Sequence, residues 1–123
     1  MLNRFSVYRA YVEFKDDLGN GKFRPIVVIK VSEDNSNIFA LGVYSYKDKF
    51  IDQNRAKFYN NFLYKIKDVD VAGLDKKLIS FVDVSGYEQF DLQEMINTAD
   101  YLGKLSARDS RGVINKYNEY HSS

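Results

Sequence analysis

The chain contains no cysteine, no tryptophan, one proline and one histidine. Without cysteine, disulfide bridges and thiolate metal sites are excluded. The histidine, His121, stands close to the end, where chains usually fray. Histidine-based acid–base chemistry and a His-rich metal centre are therefore not expected, and neither is a cofactor. Long hydrophobic runs are missing as well. The opening "MLNRFSVYRAYVEF" lacks the unbroken apolar core of a signal peptide, and no later run is long enough to span a membrane. A cytoplasmic protein is expected. No sign of charge dominates either: 18 basic residues face 17 acidic ones, a net charge of +1.

What is present is apolar and aromatic. Hydrophobic residues make up 45% of the 123, with ten Tyr and nine Phe. That length and composition predict a single domain over 1–123 with a packed, β-rich core. The near-neutral total also hides a gradient. Residues 1–46 balance at +1, residues 47–67 at +4 and residues 68–123 at −4. The basic block holds Lys47, Lys49, Arg55, Lys57, Lys65 and Lys67, with Phe50, Phe58, Tyr59, Phe62 and Tyr64 interleaved. Lysines that neutralise phosphates beside rings that stack bases suit a single-stranded nucleic-acid surface. The plainer reading is a solvated strand pair with its aromatics in the core.

Ser6 to Phe14 alternates as a half-buried strand does. "KDDLGNGK" reads as a tight loop, because Gly-Asn-Gly tolerates positive φ. Phe23 to Val31 is a central strand buried on both faces, "SEDNSN" a turn, and Ile38 to about Tyr46 the next strand. Lys47 to Ala56 shows no clear period and reads as a mobile connection, followed by an exposed strand or hairpin arm over Lys57–Lys67. Leu78 to Val84, "LISFVDV", is a second buried strand and carries Asp83. Beyond it the period changes. Leu92, Met95, Ile96, Ala99 and Leu102 form a helical stripe with Asp91 as N-cap and Gly103 just past the end. Ser106, with Asp109 three residues on, opens a last helix whose stripe is Val113, Ile114, Tyr117 and Tyr120. Five or so strands closed by C-terminal helices predict a small β-barrel of the mainly-β or α+β class.

Within the central strand, "GNGKFRPIVVIK" puts Arg24 directly before the only proline, Pro25. Proline disfavours helix in the residue before it, so Arg24 is held extended on a stiff backbone. An arginine aimed in this way forms a structural ion pair, with Asp16, Asp17 or Asp83 at hand, or it holds an anion.

Three segments in order resemble the MazF/PemK family of toxin ribonucleases: "KFRPIVVIK" its Arg-Pro strand, "FALGVYS" its third strand, and "DYLGKLSARD" the segment entering its terminal helix. The resemblance implies a partly open barrel with a C-terminal helix, usually a homodimer bound by a cognate antitoxin. It also implies metal-independent cleavage of single-stranded RNA to 2′,3′-cyclic phosphate and 5′-hydroxyl ends. By that resemblance Arg24 grips the scissile phosphate, Ser45 donates a hydrogen bond to it, and Asp83 corresponds to a general base, with Asp16 and Asp17 as alternatives. RNA contacts are expected from Lys22, Lys47, Lys49, Arg55, Lys57, Tyr59 and Lys65. The short first loop and a basic arm without a family motif are departures. Two other readings stay open: a non-catalytic toxin of the same fold acting by protein contacts, as CcdB-type toxins do on gyrase, and a plain single-stranded nucleic-acid binder.

Overall fold

Alternation places the first strand where the sequence puts it: β1 runs Ser6–Phe14. The computed structural model describes residues 2–14 and 17–122, and of residues 14 and 17–20 the backbone alone. The other strands are β2 (Asp17–Val31), β3 (Asn37–Tyr46), β4 (Leu63–Lys65), β5 (Ile79–Asp83), β6 (Glu88–Asp91) and β7 (Asp100–Lys104). Four helices complete the chain: α1 (Asp48–Gln53), α2 (Arg55–Phe58), α3 (Leu92–Thr98) and α4 (Ala107–Ser122). The seven strands form one antiparallel sheet in the order β4-β5-β3-β2-β1-β7. The strand β6 lies off this path, paired to β3. The result is the expected mainly-β, partly open barrel with a C-terminal helix.

Side chains of a strand point alternately to opposite faces, and here both faces are covered. On one face Val7, Val27, Leu41, Val43, Val82 and Val84 meet Val113 of α4. On the other, Ala10, Ile26, Val28, Ile38 and Ala40 meet Met95 of α3. Further along, Phe81 packs with Ile51 of α1 and Phe58 of α2. Each of these Val, Ile, Leu, Met and Phe side chains, once buried, contributes about 1.5–3 kcal/mol.

Several sequence expectations need correction. Most of the "KDDLGNGK" loop is strand, since β2 already begins at Asp17. Its Gly21 pairs with Glu13 in the ladder, and a Cβ there would stand 2.2 Å from the Val12 carbonyl oxygen. That glycine serves close backbone approach, which a sequence cannot distinguish from a turn. Lys47–Ala56 is no mobile connection but the two short helices, held by the burial of Ile51 and Phe58. Of the arm expected over Lys57–Lys67 only Leu63–Lys65 is strand. Asn60 organises the turn before it, accepting from the Phe62 and Leu63 N–H groups and donating to the Lys57 carbonyl.

The C-terminal third follows the expected period only in part. The Asp91 cap is real, its carboxylate accepting from Glu94 N at 2.9 Å. The helix it opens stops at Thr98, and Asp100–Lys104 is instead an edge strand beside β1. Gly103 is buried within that strand, where a Cβ would meet the Val71 carbonyl oxygen at 2.5 Å. The final helix starts as expected, with Asp109 N–H donating to Ser106 Oγ. Gly112 gives α4 the room to lie against the Tyr64 ring, 2.2 Å from where its Cβ would be. The end of α4 is docked: His121 Nε2 lies 2.8 Å from the Val84 carbonyl oxygen.

Candidate functional site

One edge of β3 changes partner along its length. Asn37–Ala40 pair with β6, whereas Val43–Tyr46 pair with β5. The chain passes from β5 to β6 beside that change of partner, through Ser85, Gly86 and Tyr87. A cavity of ≈ 100 Å³ opens there, and Arg24, Tyr44, Asp83, Ser85 and Glu88 line it.

Strand parity explains who meets whom. Pairing between β2 and β3 runs up to Ile26 opposite Gly42. Beyond that point stands Pro25, which has no N–H to continue a ladder. Arg24 follows on the face of Ile26, the face that also carries Gly42 and Tyr44. In β5, Phe81 lies opposite Tyr44, so Asp83, two residues on, shares their face. Two distant segments thereby bring a guanidinium and a carboxylate to one cavity.

The Arg24 guanidinium carbon lies 4.9 Å from the centroid of the Tyr44 ring. A Cβ on Gly42 would stand 3.3 Å from the Tyr44 hydroxyl, so glycine at that position gives the ring its room. Arg24 Nε is buried with no hydrogen-bond partner. None of the ion pairs among the described residues involves Arg24; they are Arg55–Asp52 at 3.8 Å and Arg108–Asp68 at 2.7 Å. The ion-pair reading of Arg24 is thus not realised with Asp83. Asp83 is instead held by Ser85, its Oδ1 accepting from the backbone N–H at 2.8 Å and from the hydroxyl at 2.6 Å. Asp16 and the Asp17 side chain lie outside the described residues.

Ser45 projects to the opposite face from Tyr44. Its Oγ lies 2.6 Å from Oγ of the fully buried Ser80. It lines a second opening of ≈ 240 Å³ where β2 and β3 diverge, together with Lys22, Arg24 and Pro25. Arg24 therefore borders both openings, while Ser45 and Asp83 do not share one.

The basic residues are spread. Lys65 shares a face with Phe81 and Asp83, because Lys65 is opposite Phe81 and Leu63 opposite Asp83. Lys57 reaches a third opening, where its Nζ lies 5.8 Å from the centroids of both Phe50 and Phe58. Arg55 sits 4.6 Å over the Tyr59 ring and beside Asp52. Lys47 precedes α1 and Lys49 lies on it, both exposed. Among the described residues no three His, Asp or Glu side chains converge to hold a metal ion. None of their helices is long and apolar enough to cross a membrane. Sequence reasoning missed Tyr44, Ser85 and Glu88. Only the alternation of Gly42, Tyr44 and Tyr46 signalled that one face of β3 turns from small to aromatic.

A pinned network lies beneath. The fully buried Asp109 accepts from the Tyr64 hydroxyl at 2.7 Å, from Lys67 N at 3.0 Å and from Asp68 N at 2.8 Å. Burial, then the bond to Asp109, pushes the Tyr64 phenol well above its usual range. Arg108, donating two hydrogen bonds, and then Ser106 hold the Asp68 carboxyl down at about 2. The network fixes β4, whose Leu63 lines the third opening, to the start of α4.

No protein-family model and no curated protein matches the sequence. Solved structures do match the fold. An endoribonuclease in complex with its cognate antitoxin from Mycobacterial species superposes with a TM-score of 0.62 at 16% identity, over 97% of this chain and 93% of that one. MazE-MazF from Deinococcus radiodurans gives 0.64 at 13% identity, covering 98% and 95%. An endoribonuclease from Mycobacterial species gives 0.62 at 15%, covering 97% and 89%. At such identities the likeness is one of architecture, and over nearly its whole length this chain has a MazF-like fold.

Proposed function

We propose that the protein is the toxin of a toxin–antitoxin pair, an endoribonuclease that cuts single-stranded RNA without a metal ion. The observation that carries this reading is Arg24: a buried Nε–H without a partner, on a guanidinium that shares its cavity with Asp83. Burying an unpaired donor is unfavourable. A phosphate in the cavity supplies the missing acceptor, and the guanidinium fork matches two phosphate oxygens. The solved structures of the same fold that are endoribonucleases and antitoxin complexes support the same class.

In this reading the RNA 2′-hydroxyl attacks the adjacent phosphorus. The O2′–P bond forms as the P–O5′ bond breaks, leaving a cyclic phosphate and a 5′-hydroxyl. The Asp83 carboxylate, oriented by Ser85, takes the 2′-hydroxyl proton, and the departing 5′ oxygen is protonated by solvent. Arg24 stabilises the charge that builds on the equatorial oxygens, the step at which preorganised donors matter most. Lys22 and Ser45, in the second opening that Arg24 also borders, contact the RNA backbone next to that phosphate. The functional unit is a homodimer, with an antitoxin segment covering the RNA groove. The exposed aromatic pair Tyr11 and Phe23, in edge contact at 5.4 Å, gives this chain an apolar patch to bury.

The test is incubation of purified protein with RNA in EDTA, with both new ends mapped. Cyclic phosphate and 5′-hydroxyl ends are expected. Cleavage that vanishes in EDTA and returns with Mg²⁺ sinks the mechanism, and binding without cleavage leaves the plain nucleic-acid binder. Light scattering at micromolar concentration tests the dimer.

A further inference from the structure

The third opening differs in character from its neighbour. It encloses ≈ 170 Å³, and its walls are mainly rings: Tyr44, Tyr46, Phe58, Phe62 and Phe81. Phe58 and Phe81 stack at 5.3 Å with 28° between their planes, and Tyr46 meets Phe58 edge-on at 4.7 Å. Both phenylalanines are 1% exposed, so this floor is fixed by the core. Two charged side chains line the opening, Lys57 and Asp83. Among the described residues Lys57 has no carboxylate within ion-pair distance, and its Nζ lies 5.8 Å from the ring centroids of Phe50 and Phe58. An ammonium has three donors, and these remain unspent at the rim of an apolar slot.

Position gives the slot its meaning. Tyr44 and Asp83 line both this opening and the Arg24 cavity, so the two share a wall. A strand whose phosphate lies on Arg24 has a neighbouring base on the side of this slot, where Tyr44, Tyr46 and Phe62 are only partly buried. Planar bases gain from aromatic contact irrespective of sequence. One well-placed polar group in an apolar site then sets orientation and choice.

We infer that this slot seats the nucleobase beside the phosphate held by Arg24, and that Lys57 makes it selective for bases bearing a carbonyl acceptor, guanine foremost, over adenine. Guanine offers O6 and N7 together to one cation, whereas adenine sets an amino donor against it. The segment responsible, from α1 through the Asn60 turn, lies in the basic arm that matches no motif of the family. The placement of the phosphate rests on the endoribonuclease reading. The preference of the slot for a base does not.

The experiment compares Lys57→Met and Lys57→Gln with Lys65→Met and wild type on RNA randomised around the cut. Binding to matched 2′-deoxy oligonucleotides, which cannot be cut by 2′-hydroxyl attack, is read in parallel by fluorescence anisotropy. Wild type is expected to favour guanine at one position adjoining the cut. Both Lys57 variants lose about five- to tenfold on guanine there and little on adenine, erasing the preference. Lys65→Met weakens all sequences by one common factor. If the Lys57 variants keep the preference, or lose affinity uniformly as Lys65→Met does, the inference is overturned. If wild type cuts nothing but its guanine preference in binding still depends on Lys57, the slot stands and the nuclease reading falls. If it cuts RNA with no dependence on Lys57 in either assay, the nuclease stands and the slot falls.

Discussion

Arg24→Lys separates a structural arginine from a functional one. Arginine places an N–H at the ε position, and here that group is buried and unpaired. Such an orphan donor costs about 1–3 kcal/mol. Lysine puts a methylene at the same point and keeps a cation within reach of Tyr44. The cation–π contact, 4.9 Å from the ring centroid, is worth about 0.5–1 kcal/mol and is largely retained. Without RNA, the variant is therefore expected to hold its stability or gain up to about 2 kcal/mol. Each kcal/mol corresponds to roughly 3–6 °C in Tm for a domain of this size. Activity moves the opposite way. A lysine loses the planar two-point grip on phosphate, and removing preorganised donors at a developing oxyanion lowers the rate by about 10²–10³. Urea unfolding and single-turnover cleavage in EDTA, on the same preparations, read both effects. A stability loss above about 1 kcal/mol would falsify the orphan-donor argument. Retention of most of the cleavage by a folded variant shows that Arg24 is a simple counter-ion.

Asp109→Ala strips the acceptor from three donors at once and is expected to cost about 3–5 kcal/mol, whereas Tyr64→Phe costs about 1. Equal, small losses in urea unfolding contradict the pinned network. Asp68 and Asp34 are both held at about 2, by Arg108 then Ser106 and by Ser36 then Ser32 respectively. Their folded pKa values lie below the unfolded ones, so their contribution is whole above the usual carboxylate pKa of about 3.9 and is lost as pH falls toward about 2. Arg108→Met should flatten the fall in Tm across that window, and an unchanged acid profile refutes the assignment. Neutralising Lys22 and Lys65 together should weaken binding to all RNA sequences by similar factors. It should also reduce the log–log salt slope by roughly 0.7 for each phosphate that the protein no longer neutralises. An unchanged slope in anisotropy titrations means these lysines only solvate strands.

Much of this molecule was fixed locally and could be read directly. Alternation set β1 and β3, the β-branched run set β2, and side-chain caps at Asp91 and Ser106 started α3 and α4 where expected. Pro25 dictated that Arg24 be extended, because that restraint acts between adjacent residues. Other features arose only from pairing across the chain. Whether Arg24 shares a face with Asp83 or with Ser45 depends on the registers of β2 on β3 and of β3 on β5, and a shift of one residue reverses the answer. The short helices α1 and α2 have little period of their own and exist because Phe81 offers Ile51 and Phe58 a surface. Gly21 and Gly103 read as punctuation, yet each occupies a ladder position where another strand or loop comes too near for a Cβ. His121, expected at a frayed end, is docked on Val84 by the packing of α4. The sequence decided which residues the protein could use, since those restraints act over a few bonds. Tertiary structure decided which of them meet, since that depends on strand parity and packing between segments far apart in the chain.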